Sequence, residues 1–210
     1  MKAVLSLLVL LCVNPLFAKP KAEVIHVNEK TTSVYYVMTT LLKEEFVNVE
    51  DKATQCHLVH LASSIVETKE AEKTIINETR FIALGFNESR LGVKDYPKGK
   101  ITKSNMGACG IFQQIPKFSE MPKVSCKEYN VSNSVKSAVL TLKKLVQRYS
   151  DKNLNNDICH YFSGNKCDKE AEEYAKQHAK VKAKADTLIK QVPKGFKMPK
   201  PTCKGFVYKA

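Results

Sequence analysis

Lys103-Ser104-Asn105-Met106-Gly107-Ala108-Cys109-Gly110-Ile111-Phe112-Gln113-Gln114-Ile115-Pro116 is the stretch from which the rest of this chain is read. It carries two glycines, then an apolar pair, two amides and a proline. Glycine admits backbone angles and close approaches barred to other residues, so Gly107 and Gly110 predict a shaped loop able to lie against a ligand. The segment sits inside a longer tract, Arg90 to Lys127, punctuated by glycine, proline and lysine, as in Tyr96-Pro97-Lys98-Gly99. Such punctuation predicts a loop region with at most a helical turn or short strands. A long loop inside a helical domain is more often functional than idle.

On both sides the pattern is helical. Thr31 to Phe46 repeats Val34, Tyr35, Met38, Leu41, Leu42 and Phe46 at three- and four-residue intervals. Thr54 to Thr68 does the same with Leu58, Leu61, Ala62, Ile65 and Val66, and Glu72 to Glu88 with Ile75, Ile76, Thr79, Ile82 and Ala83. Beyond the loop tract, Ser132 or Asn133 can cap a helix whose inner face runs from Val135 to Tyr149. Asn155 to Phe162 is a shorter helix. Asp168 opens a long polar one that continues to about Gln191, with acids in its first turn and lysines later, as the helix dipole favours. The expected fold is mainly α, a single domain over residues 31–192 with a long irregular loop region braced by disulfides. A polar lead-in covers 19–30, and a tail rich in Pro and Lys covers 193–210. No internal repeat or second domain is visible.

Residues 1–18 read as a secretory signal peptide: Met1-Lys2, an apolar run to Val13, then Leu16-Phe17-Ala18 before Lys19. Leu11 before Cys12 argues against a lipoprotein site. No later segment is apolar enough for a membrane span, so export to the periplasm or the exterior is expected, without stable membrane insertion. The remaining cysteines, Cys56, Cys109, Cys126, Cys159, Cys167 and Cys203, are even in number and read as a disulfide set. Cys159 and Cys167 are close enough to close a local loop, and Cys203 can pin the tail to the body. No metal or other cofactor is expected, because ligand spacings such as C-x-x-C or H-x-x-x-H do not occur. His57 and His60, one turn apart, read as ordinary helix surface. The net charge of +13 suits a polyanion. Export and the lack of aromatics interleaved with basic residues disfavour nucleic acid, which leaves an anionic cell wall.

Three segments in order carry a resemblance: Phe86-Asn87-Glu88-Ser89, the glycine-rich block, and His160-Tyr161-Phe162-Ser163-Gly164 followed by Tyr174. Together they resemble the soluble lytic transglycosylases, whose lysozyme-like domain carries E-S, then S-x-x-G-A-x-G-L-M-Q-x-x-P, then A-Y-N-A-G. Ser104, Gly107, Ala108, Gly110, Gln113 and Pro116 fall on the second motif without a gap. Ile111 and Phe112 stand where Leu and Met are usual, Phe162 where Asn is usual and His160 where Ala is usual. The resemblance spans roughly Thr31 to Val181. It implies a lysozyme-like fold, Glu88 as the catalytic acid, Ser104 and Gln113 reaching the sugar, Tyr161 placing the acid, and Tyr174 beside the groove. Read on their own, Tyr161 and Tyr174 serve equally as core aromatics. Cys109 inside the block suggests a brace, and a bridge to Cys126 is the hypothesis.

The chemistry is consistent with the residue types. Breaking a glycosidic bond needs a proton delivered to the departing oxygen, and a carboxylic acid supplies it near neutrality only if apolar surroundings raise its pKa. Leu84 and Phe86 flank Glu88 in sequence, and Ile111 and Phe112 are expected to pack near it. The resemblance implies a single acid that later acts as base, the muramic C6 hydroxyl closing a 1,6-anhydro sugar. The alternatives are a hydrolytic muramidase pairing Glu88 with Asp95, and a non-catalytic basic protein that binds or assembles on the wall. The sequons at Asn77, Asn87 and Asn130 would matter in a eukaryotic secretory route. A glycan on Asn87 would block the groove, which favours a bacterial, phage or mobile-element context. Peptidoglycan strands are the expected partner, with a secretion, conjugation or phage-entry assembly as the setting.

Overall fold

A computed structural model describes residues 23–121, 124–149, 156–164 and 166–209. The signal peptide falls outside the described residues. Strand β1 (Glu23–His26) is followed by helices α1 (Glu29–Glu44), α2 (Lys52–Ala71) and α3 (Glu78–Ser89). A loop region with short 3-10 turns leads to α4 (Val131–Tyr149), α5 (Asn156–Ser163), α6 (Lys169–Lys190) and strand β2 (Phe206–Lys209). The chain is mainly helical, with three cysteine pairs at disulfide distance.

Helix α2 is the centre. Asp51 caps it by accepting the Thr54 N–H at 2.9 Å. Leu58, Leu61, Ala62, Ile65 and Val66 are buried as their spacing requires, but so are Val59, Ser63 and Ser64. A helix buried on nearly every side needs neighbours all round, and α2 packs against α1, α3, α4 and β1. His57 and His60 are therefore buried, at 6% and 8% exposure, and not on the surface as their spacing suggested. His57 Nε2 lies 2.6 Å from the Leu91 carbonyl and its ring stacks on Tyr96. Burial lowers its pKa to about 4, so it stays neutral.

The helix boundaries differ from the sequence reading in particular places. Asn28 caps α1 by accepting the Thr31 N–H at 2.8 Å, so the helix starts earlier than Thr31 and ends before Phe46. Phe46 has a left-handed φ of 59° and is 97% exposed, off the apolar face to which its spacing assigned it. Residues 72–77 link α2 to α3 instead of forming the start of a helix, and Ile75 is 92% exposed. Asn130, not Ser132 or Asn133, caps α4, accepting the Asn133 N–H at 2.8 Å. Asp168 caps α6 as expected, accepting the Ala171 N–H at 2.9 Å.

The lead-in from Glu23 and the tail as far as Lys209 each carry a strand. β1 pairs in parallel with β2, Glu23 opposite Phe206 and His26 opposite Lys209, and Ile25 is fully buried. Cys203 bonds Cys56 on α2, with Cα atoms 5.8 Å apart. Cys159 pairs with Cys167 and Cys109 with Cys126, at Cα separations of 5.4 and 5.5 Å. Both pairs are those the sequence suggested. No helix among the described residues is long and apolar enough to cross a membrane.

Candidate active site

Glu88 stands in the last turn of α3, where the helix ends on Arg90 in a left-handed conformation. The Arg90 guanidinium bonds Glu45, donates to the Phe86 carbonyl at 2.9 Å and lies over the Phe86 ring. These contacts fix the helix end that carries the carboxyl. The Glu88 side chain is half-buried. The Tyr174 hydroxyl, reaching from α6, donates to its Oε1. Burial pushes the carboxyl up to about 7, and the Tyr174 bond, which favours the charged form, only partly opposes it. Asp95 leads into the turn Tyr96–Lys98, and among the described residues no hydrogen bond joins it to Glu88.

Tyr161, from α5, is the third member of the cluster. Its hydroxyl donates to the Phe112 carbonyl at 2.7 Å. Burial raises its pKa well above the usual value, and the negative charge of Glu88 raises it further. Burial, then the Glu88 charge, does the same to Tyr174. Both phenols therefore stay protonated and act as donors beside a carboxyl poised near neutrality.

The glycine-rich block forms the facing wall. Lys103, Cys109 and Gln114 are linked by antiparallel bridges. The Gly110 N–H donates to Thr102 at 2.9 Å, and Cys109 and Gln114 exchange backbone bonds at 2.8 and 3.0 Å. Gly110 has φ +81°, and a Cβ there would come within 2.6 Å of Ser134 Oγ and 2.8 Å of the Tyr129 ring. Both the conformation and the packing demand glycine. Gly107 needs it for conformation alone (φ +82°), with nothing within 4 Å. Ile111 and Phe112 are buried against Gly85, one turn before Glu88. The Ser89 hydroxyl donates to the Ile111 carbonyl at 2.7 Å. Two successive loop carbonyls are thus held by hydroxyls from α3 and α5.

Glu88, Tyr161 and Tyr174 are brought together. Ser104 and Gln113 lie on the loop wall with their side chains engaged locally. Ser104 Oγ accepts the N–H groups of Met106 and Ala108 at 3.2 and 3.0 Å and is exposed. Gln113 takes a left-handed φ of 44° and donates its amide to the Gly110 carbonyl at 2.8 Å. Among the described residues no hydrogen bond joins either side chain to Glu88.

Sequence reasoning passed over three supports. Ser89 had only its place beside Glu88 to mark it. Arg80 on α3 bonds both oxygens of Asp157 on α5, and His178 on α6 packs its ring nitrogen 3.3 Å from the Arg80 carbonyl. These partners are 77 and 98 positions apart, so no local spacing announces them. Asn87 Nδ2 is buried, so that sequon nitrogen is shielded in the folded chain. No family model, curated protein or solved structure matches the chain.

Proposed function

We propose that the chain is a lytic transglycosylase of the lysozyme-like soluble lytic transglycosylase family. It cleaves the MurNAc–GlcNAc β-1,4 bond of peptidoglycan and leaves 1,6-anhydro-MurNAc. The observation that carries this reading is a half-buried Glu88 at the end of α3, aimed by the Tyr174 hydroxyl, and burial pushes its carboxyl up to about 7. A general acid works best when its pKa lies near the operating pH. The protonated carboxyl gives its proton to the bridging oxygen, the bond to the muramic anomeric carbon breaks, and the GlcNAc end departs as an alcohol. The C6 hydroxyl of the same muramic residue then closes on that carbon, and its proton returns to Glu88. One carboxyl thereby serves both steps, whereas a hydrolase needs another group to activate water.

Tyr174 aims Glu88, and Tyr161 ties the loop wall to α5. Gly107, with nothing within 4 Å of where a Cβ would stand, lets the backbone of that wall approach a sugar, with Ser104 and Gln113 placed on it as polar contacts. The disulfides and the lack of a membrane-crossing helix among the described residues are compatible with export. The charge of +13 suits an anionic wall, and local wall opening by a secretion, conjugation or phage-entry machine is the setting it fits.

Mass spectrometry of peptidoglycan treated with the purified chain tests the reading. Muropeptides lighter by one water, with anhydro ends, are expected. Reducing ends would replace the transglycosylase by a hydrolase, and absence of any fragment would remove the enzyme. Glu88→Gln should lower turnover by about 10²–10⁴-fold while strand binding and the melting temperature hold.

A further inference from the structure

The proposed activity uses Glu88, Tyr161 and Tyr174, and leaves one neighbour unexplained. Phe162 is 45% exposed, whereas Phe86 and Phe112 are buried and Tyr161 and Tyr174 half-buried. One face lies against Tyr174, with ring centroids 4.6 Å apart and planes 23° from parallel. Tyr174 is the residue that bonds Glu88. The remaining surface of the Phe162 ring opens to solvent one residue from Tyr161, on the last turn of the short helix α5. The Cys159–Cys167 bond holds the end of that helix beside the start of α6, which carries Tyr174. The ring is therefore held in place and half bare, separated from the proposed acid by Tyr174.

We propose that Phe162 is a substrate-stacking residue: its open face takes the apolar C–H face of a pyranose ring next to the bond that is cleaved. Aromatic rings bury large area at low conformational cost and hold partners in fixed stacking geometry. The ring also covers Tyr174, so a sugar stacked on Phe162 stands one aromatic layer from the phenol that aims Glu88. This inference rests on the proposed glycan-cleaving function and gives that function a specificity element that the matching motif, with its amide at this position, does not supply.

The chain contains no tryptophan, so Phe162→Trp introduces a solitary indole reporter. In a Glu88→Gln background, which binds without cutting, soluble uncrosslinked peptidoglycan glycan strands should change the indole emission saturably, with calorimetry giving the same midpoint. Phe162→Leu keeps an apolar contact to Tyr174 but loses the flat face, and should weaken strand binding about tenfold. Phe162→Tyr should retain it. In the active chain the Leu substitution should raise KM and leave kcat and the circular dichroism nearly unchanged. Calorimetric binding with a silent indole, or unchanged affinity on Phe162→Leu, overturns the stacking role and spares the proposed function. Absence of strand binding by the otherwise unsubstituted Glu88→Gln chain overturns both.

Discussion

The helical frame and the loop wall of this molecule are held by different forces. In α1, α2 and α4 stability comes from apolar side chains such as Met38, Leu42, Leu61, Ile65, Val139 and Leu142, all buried and each contributing about 1.5–3 kcal/mol on burial. The wall from Leu91 to Tyr129 has little ladder of its own. It is suspended from the frame by Ser89 and Tyr161, which bond two adjacent carbonyls, and by the Tyr96 hydroxyl against Ser134 of α4 at 3.0 Å, and it is cross-linked within itself by the Cys109–Cys126 bond. The candidate acid sits on the seam. A helix end fixes the proposed proton donor while the loop beside it hangs from a few bonds, so injuries to the two sides should look different.

The largest effect is expected where the frame itself is stitched across the seam. Asp157→Ala leaves the Arg80 guanidinium, 13% exposed, without its carboxylate and should cost about 3–5 kcal/mol in denaturant unfolding. A loss below about 1 kcal/mol would mean that the pair is solvated and the frame reaches less far than its geometry implies.

Next comes the contrast between two glycines of the wall. Gly110→Ala must push Ser134 and Tyr129 aside while holding a left-handed backbone, costing about 2–4 kcal/mol. Gly107→Ala meets only the backbone penalty, about 1–2 kcal/mol. Equal effects would show that packing against α4 does not hold the block.

Tyr161→Phe removes one carbonyl contact and should cost about 0.5–1.5 kcal/mol. Its signature lies in the loop: faster hydrogen exchange at Gly110 and Gln114, with α2 amides unchanged. Exchange rising equally in both regions would erase the distinction between frame and wall.

A last effect, graded rather than all-or-none, is on pH. The Glu88 carboxyl is held at about 7 in the folded chain against about 4.3 when unfolded, so the folded state keeps a proton that the unfolded state has lost. Stability therefore falls as pH rises through that window, and Glu88→Gln should flatten the decline. Activity should fall above about pH 7 for the same reason. His57 and His178, lowered by burial to about 4, act oppositely, withdrawing stability as pH falls below about 6.5. Melting temperatures across pH 5–8, with and without Glu88, separate the two signs.

Much of this was legible from sequence where the governing interaction is local. Helices α1, α2 and α4 announce themselves through 3.6-residue spacing, and α6 through Asp168 at its start and acids followed by lysines along it. Spacing alone misassigned Phe46 and Ile75, because apolar residues at a helix end fall on the right face before the helix has begun or after it has stopped. It also misplaced His57 and His60, since a helix enclosed on all sides buries even its polar positions. Strands β1 and β2 were invisible: each spans only four residues, and their pairing joins segments remote in sequence. For the site, Tyr174 bonds Glu88 and Tyr161 lies within reach of its charge. The local bonding of Ser104 and Gln113 follows from turn geometry, which residue identity does not encode.

The pairing of β1 with β2 has a mechanical consequence. Because the strands run the same way, tension entering before Glu23 and leaving after Lys209 would slide one strand along the other, loading all their cross-links together. An antiparallel pair gripped at its open end would instead unzip one rung at a time. With Cys203 anchored to the central helix just upstream of β2, a molecule tethered by its two ends should resist pulling better than its small sheet suggests.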